Sequence, residues 1–93
     1  MTDAARPWMV RFSSTAVRGS NRLPHKASAA IVEFSTVTLP QDPHRLSKPL
    51  RYELSGWRVA RRGDYRVIFR LLDDDRILFV GRVEHRAHIY KPR

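Results

Sequence analysis

The stretch 63-GDYRVIFRLLDDDRILFVGRVEHRAHIY-90 decides how this chain reads. Apolar residues recur at every second place on both sides of an aspartate-rich break. That is the period of two extended strands joined by a tight connection. The run 50–61 before it has a similar pattern, so three strands, 50–61, 65–72 and 76–84, follow one another through the C-terminal half. Arginines sit inside them, at Arg58, Arg66, Arg70 and Arg82.

Register decides which face holds those charges, because a one-residue slip moves every side chain to the other face. With Asp73 to Asp75 as the loop, Leu72 pairs with Arg76. With Arg62, Gly63 and Asp64 as the preceding loop, Arg61 pairs with Tyr65. Trp57, Val59, Tyr65, Val67, Phe69, Leu71, Ile77, Phe79, Gly81 and Val83 then share one uncharged face. Arg58, Ala60, Arg66, Ile68, Arg70, Leu78, Val80, Arg82 and Glu84 share the other. On this register Arg66 and Arg82 lie nearly opposite each other. Like charges facing across strands destabilise a sheet, so this face reads either as an anion-binding surface or as a solvated face whose arginine stems cover Ile68 and Val80.

Working outward, 8-WMVRF-12 alternates like a first strand. Ser13 or Ser14 suits a helix cap, although Gly19, Ser20 and Asn21 weaken the helix that would follow. The stretch 23–39 is a better helix. Pro24 fits its first turn, and Ala27, Ala30, Ile31, Phe34, Val37 and Leu39 form an apolar stripe. Three prolines make 40–49 a loop. The expected fold is α+β: an N-terminal strand, a two-helix hairpin and a mostly antiparallel four-stranded twisted sheet. The helices cover one sheet face and leave the other open. Ninety-three residues form a single domain spanning 1–93.

Composition narrows the chemistry. The chain has no cysteine, which excludes disulfides, a thiol nucleophile and cysteine-based zinc sites. His85 and His88 lack carboxylate or thiol partners at ligand spacing, so no metal or other cofactor is expected. No apolar run approaches the ~18 residues of a membrane span, and 1-MTDAARPWMVRF-12 lacks the apolar core of a signal peptide. A cytoplasmic protein without membrane contact is expected. The net charge is +9, and residues 45–93 contribute +7 of it, thirteen basic against six acidic residues. Fifteen of the eighteen cations are arginine, the residue suited to bidentate phosphate contacts. A polyanionic partner fits, either nucleic acid or an acidic protein segment.

Lys48-Pro49-Leu50, Gly63-Asp64-Tyr65-Arg66 and His85-Arg86 through Ile89-Tyr90 together closely resemble the RelE/ParE toxin superfamily. The likeness is strong in the C-terminal half and looser before it. It implies a two-helix hairpin on a twisted sheet with an open concave face, and the role of toxin in a toxin–antitoxin pair. RelE-like members cut mRNA in the ribosomal decoding site. ParE-like members inhibit DNA gyrase and lack the cleavage residues. Residue by residue, the resemblance implies catalytic roles for Arg66, Arg86 and Tyr90, with Arg82 the rival of Arg86. Two strand positions that carry lysine in RelE relatives fall on Arg58 and Ala60, which leaves the proton acceptor open.

RNA cleavage by internal transfer makes modest demands on a protein, because the attacking 2′-hydroxyl belongs to the substrate. Arg66 and Arg86 suit stabilisation of the developing negative charge. Tyr90 suits base stacking or protonation of the leaving 5′-oxygen. Lys48, Arg51, Arg58, Arg61, Arg62 and Arg82 are candidates for phosphate binding. His85, a further candidate for RNA binding, has a useful titration range, but a packing or turn histidine is the favoured reading of it. The implied partners are an acidic antitoxin, the ribosome and mRNA, with operator DNA reached only through the antitoxin complex. The alternatives are a non-enzymatic gyrase inhibitor and an inactive antitoxin-binding protein.

Overall fold

A computed structural model describes residues 7–85. Strand β1 (Met9–Phe12) leads into helix α1 (Ser14–Asn21) and helix α2 (His25–Glu33). A π-helical turn (Phe34–Thr38) and a 3-10 turn (Leu39–Gln41) extend α2. Strands β2 (Lys48–Pro49), β3 (Arg58–Arg62), β4 (Tyr65–Leu72) and β5 (Ile77–His85) follow. The sheet has the order β1-β5-β4-β3-β2. The last strand therefore lies inside the sheet, parallel to the first and antiparallel to β4. The α+β class stands as expected. The sheet has five strands rather than four, because Lys48–Pro49 adds a short edge pair to β3.

Both hairpin connections differ from the expected lengths, and each difference moves a strand face. Arg62 pairs with Tyr65, so the first connection is the two-residue turn Gly63-Asp64. Gly63 adopts φ 62, a positive value glycine takes without steric cost. Leu72 pairs with Ile77, so the second connection is the four-residue loop 73–76. Arg76 enters the left-handed region there at φ 53, and its N–H donates to Asp73 O at 3.2 Å. Ala60, Leu78 and Val80 consequently join Val67, Phe69 and Val83 in the buried core. Val59 and Phe79 move to the open face, and Trp57 leans over that face against Phe79. Val83 keeps its expected side because Gly81 is an extra residue on β5. Ile68 pairs with Arg82 while Phe69 pairs with Val80, and this bulge shifts the parity once more.

The expected strand over 50–61 forms only from Arg58. Tyr52 at φ 58 and Gly56 at φ 95 turn the segment 50–57 into a loop containing a 3-10 turn (Tyr52–Leu54). At the other end of the chain, Ser13 caps α1, its Oγ accepting from Ala16 N at 3.0 Å. The same hydroxyl donates to Gly81 O at 2.8 Å, tying the cap to the bulge. Gly19 permits α1 to lie directly on β5: a Cβ there would stand 2.6 Å from Val83 O. Ser20 and Ser28 hydroxyls, 2.9 Å apart, join the two helices. After α2 the chain widens into the π turn. Leu39 N–H bonds Phe34 O, five residues back, and both side chains reach the core. Val37, expected on the buried stripe, is exposed, and Ser35 is buried in its stead.

Candidate functional site

The face of the sheet away from the helices opens into a cleft of about 680 Å³. Val59 and Arg61 of β3 and Arg66 and Ile68 of β4 form its sheet side. Arg45, Leu46, Ser47 and Lys48 form a second wall, and Leu50 and Leu54 bring in the loop that follows β2. Four cations thus surround a largely aliphatic interior. Groups of this kind suit a ligand with anionic and apolar parts, such as a nucleotide chain or an acidic amphipathic segment.

Arg66 is only 7% exposed although it lines the cleft. A guanidinium held in a water-poor setting acts more strongly on an anion than one in bulk solvent. Its cross-strand neighbours are Arg61 on β3 and Glu84 on β5. The facing like charges are therefore Arg61 and Arg66, where the sequence register had suggested Arg66 and Arg82. Arg82 pairs with Ile68 on the same open face and is bound to Glu84 at 2.8 Å.

The other candidates separate clearly. Lys48 lines the cleft. Arg51 is exposed ahead of the 3-10 turn, outside the cleft lining. Arg62 lies opposite Tyr65 at the exposed end of β3, on the parity of buried Ala60. Arg58 also has that parity, so it does not share a face with Arg66 as expected. Its Nε donates to Ser47 Oγ at 2.7 Å, and one terminal nitrogen reaches His44 O at 3.2 Å and Ser47 O at 3.4 Å. His85 packs edge-on against Tyr65, with ring centroids 5.1 Å apart. Arg86 and Tyr90 lie outside the described residues. Ala60 is buried in the core, so it is not a place from which a lysine would reach the cleft. Arg61 is the β3 residue that occupies such a place.

Sequence reasoning missed Arg45, whose loop reads only as proline-rich, and the aliphatic lining from Leu46, Leu50 and Leu54. It also missed the plug formed by Trp57. The indole crosses the open face so closely that a Cβ at Gly81 would lie 2.5 Å from its ring, and Arg70 stacks over it at 4.8 Å. Among the described residues, no group of three or more His, Asp or Glu is arranged to hold a metal ion. No helix among them is long and apolar enough to cross a membrane.

Comparison with known proteins gives a consistent answer. Residues 10–90 match the model of the ParE toxin of the type II toxin–antitoxin system parDE. The toxin RelG of Mycobacterium tuberculosis is 46% identical over 85 residues, covering 91% of this chain and 98% of RelG. The toxin RelE of the same organism is 42% identical, covering 91% of this chain and 88% of that protein. The toxin–antitoxin complex RelBE2 from M. tuberculosis contains a chain that superposes with a TM-score of 0.85 at 44% identity, over 89% of this chain and 95% of that one. From the open-faced sheet to these whole-length matches, the chain belongs to the RelE/ParE superfamily of toxins from type II toxin–antitoxin systems.

Proposed function

We propose that this toxin is a ribosome-dependent mRNA endonuclease restrained by an acidic antitoxin. The observation that carries the reading is the cleft itself: Arg66 buried at its side, Arg61 across the strand, and Arg45 and Lys48 on the facing wall. Fixed donors of this kind stabilise a phosphorane's extra negative charge without reorganising during the reaction. In the proposed step the 2′-oxygen forms a bond to the adjacent phosphorus and the bond from phosphorus to the 5′-oxygen breaks. The 2′-hydroxyl proton passes to solvent water, and Tyr90 or water delivers one to the 5′-oxygen. Arg66 binds the non-bridging oxygens. Arg86 and Tyr90 retain the roles implied by family resemblance, as second phosphate ligand and as stacking or proton-donating group. Ala60 lies in the core and Arg61 lines the cleft, so Arg61 supplies charge beside the RNA but, as a permanent cation, no proton acceptor.

The partner reading rests on complementary charge. A chain of net charge +9 favours an antitoxin segment rich in Asp and Glu, and the RelBE2 complex is a relative held with its antitoxin. We assign operator DNA to the toxin–antitoxin complex rather than to the toxin alone, and the cytoplasm as its compartment.

Primer extension on a reporter mRNA, with purified protein and with or without ribosomes, tests the reading. Cleavage is expected only with ribosomes, and Arg66→Ala should slow it by about 10²–10³-fold. The match to the ParE model favours one competitor, a gyrase inhibitor. Intact mRNA in both conditions, with a DNA-damage response on expression, would establish that competitor instead.

A further inference from the structure

The second wall of the cleft is built from a loop that folds on itself. Leu46 N donates to Asp42 O at 3.1 Å, and Ser47 Oγ donates to Pro43 O at 2.6 Å. Pro43 is buried beneath it. Strand β2 is only two residues long, so it gives the loop little support from the sheet. Asp42 N donates to Leu39 O at 3.2 Å, and Arg45 pairs with Asp42 at 3.9 Å within the loop. Arg58 adds the side-chain tie from β3. Its guanidinium bonds one hydroxyl and two carbonyls of residues 44–47, all from the strand parity that faces away from the cleft.

We infer that Arg58 is a positioning residue, a clamp that fixes the 42–47 loop and so holds Arg45 and Lys48 at the rim of the cleft. The inference rests on the reading of the cleft as the RNA site. Arg58 turns Nε and one terminal nitrogen into the protein, Nε to Ser47 Oγ and the terminal nitrogen to the two carbonyls. A lysine offers a charge at that place but not the planar fork that reaches three acceptors in different directions. The charge of Arg58 is therefore incidental to RNA binding, and its geometry is what matters. Arg45 and Lys48 lie on the clamped side of the cleft, whereas Arg61 and Arg66 are held by paired strands and need no clamp.

Two measurements on the full chain test this. Hydrogen exchange reads the loop through the Leu46 amide, and fluorescence anisotropy reads binding of a short single-stranded RNA. Arg58→Ala should speed Leu46 exchange by tenfold or more, on the order expected when a local tie is lost, and weaken RNA binding about fivefold. Arg58→Lys should do nearly the same, although it keeps the charge. In the Arg45→Ala, Lys48→Ala background, Arg58→Ala should cause no further loss, because its effect passes through those two side chains. Full binding by Arg58→Lys, or additive losses in that background, would show a direct phosphate contact and overturn the inference. Unchanged Leu46 exchange in Arg58→Ala would overturn it whatever the RNA does. A loop that loosens in Arg58→Ala while the wild-type chain cleaves no mRNA even with ribosomes overturns the nuclease reading and leaves the clamp standing.

Discussion

Gly19 shows how a single absent atom group sets the fold. In a free helix, Gly19→Ala would gain about 1 kcal/mol of helix propensity. Here the added Cβ meets the backbone oxygen of Val83 at 2.6 Å, which cannot rotate away. The helix must lift from β5, and overpacking of this kind costs ~1–3 kcal/mol. Gly19→Ala should therefore lower the urea midpoint despite the propensity gain, and an increase would show that α1 slides on the sheet at no cost. Ser13→Ala removes both the helix cap and the bond to Gly81 O. A loss of ~1–2 kcal/mol is expected from chemical denaturation. In the sequence Gly19 counts against a helix, and Ser13 reads only as one of two possible caps. Their reason lies across the chain, in the backbone of β5, and no local pattern reports it.

Among the elements, β1, β4 and β5 were legible, β3 only in part and β2 not at all, and the strand faces were half legible. Alternation located β4 and β5 within a residue or two, and the assignment of Val67 and Phe69 to the core held. The error came from connections. A turn of two residues and a loop of four were read as three each, and an arginine at φ 53 gives no sign of itself in sequence. Each slip exchanged inside for outside, which put Leu78 and Val80 on the wrong face and gave Arg58 a place beside Arg66. The bulge at Gly81 then returned Val83 to the expected side. The π turn offers its own test. Ser35 is fully buried, and its Oγ has no hydrogen-bond partner among the described residues. A buried hydroxyl without a partner costs about 1–3 kcal/mol. Ser35→Ala should therefore raise the melting temperature or leave it unchanged, and a fall in a thermal melt would reveal a partner that forms in solution.

For the molecule as a whole, charge dominates. Composition alone pointed to a polyanion, and the structure concentrates that charge where Arg45, Lys48, Arg61 and Arg66 meet. If these four neutralise RNA phosphates, the logarithm of affinity should fall with the logarithm of salt at a slope near −3, about −0.7 for each of the four contacts on a single strand. Arg61→Ala should reduce that slope by about 0.7 in an anisotropy titration. An unchanged slope would remove Arg61 from the interface. The family was legible because its motif lies in the contiguous C-terminal half. The cleft was less so, since its lining joins the largely irregular stretch 45–54 to strands β3 and β4.

The order of the strands also bears on how the toxin is made. The last strand, β5, sits between β4 and β1 and supplies Leu78, Val80 and Val83 to the core. During synthesis the first strand has no neighbour to pair with until residues 77–80 have left the ribosome. A chain interrupted before that point lacks an interior strand and cannot close its sheet. Partial products are thus unfolded material for proteases, and harm to the cell waits on completion of the polypeptide.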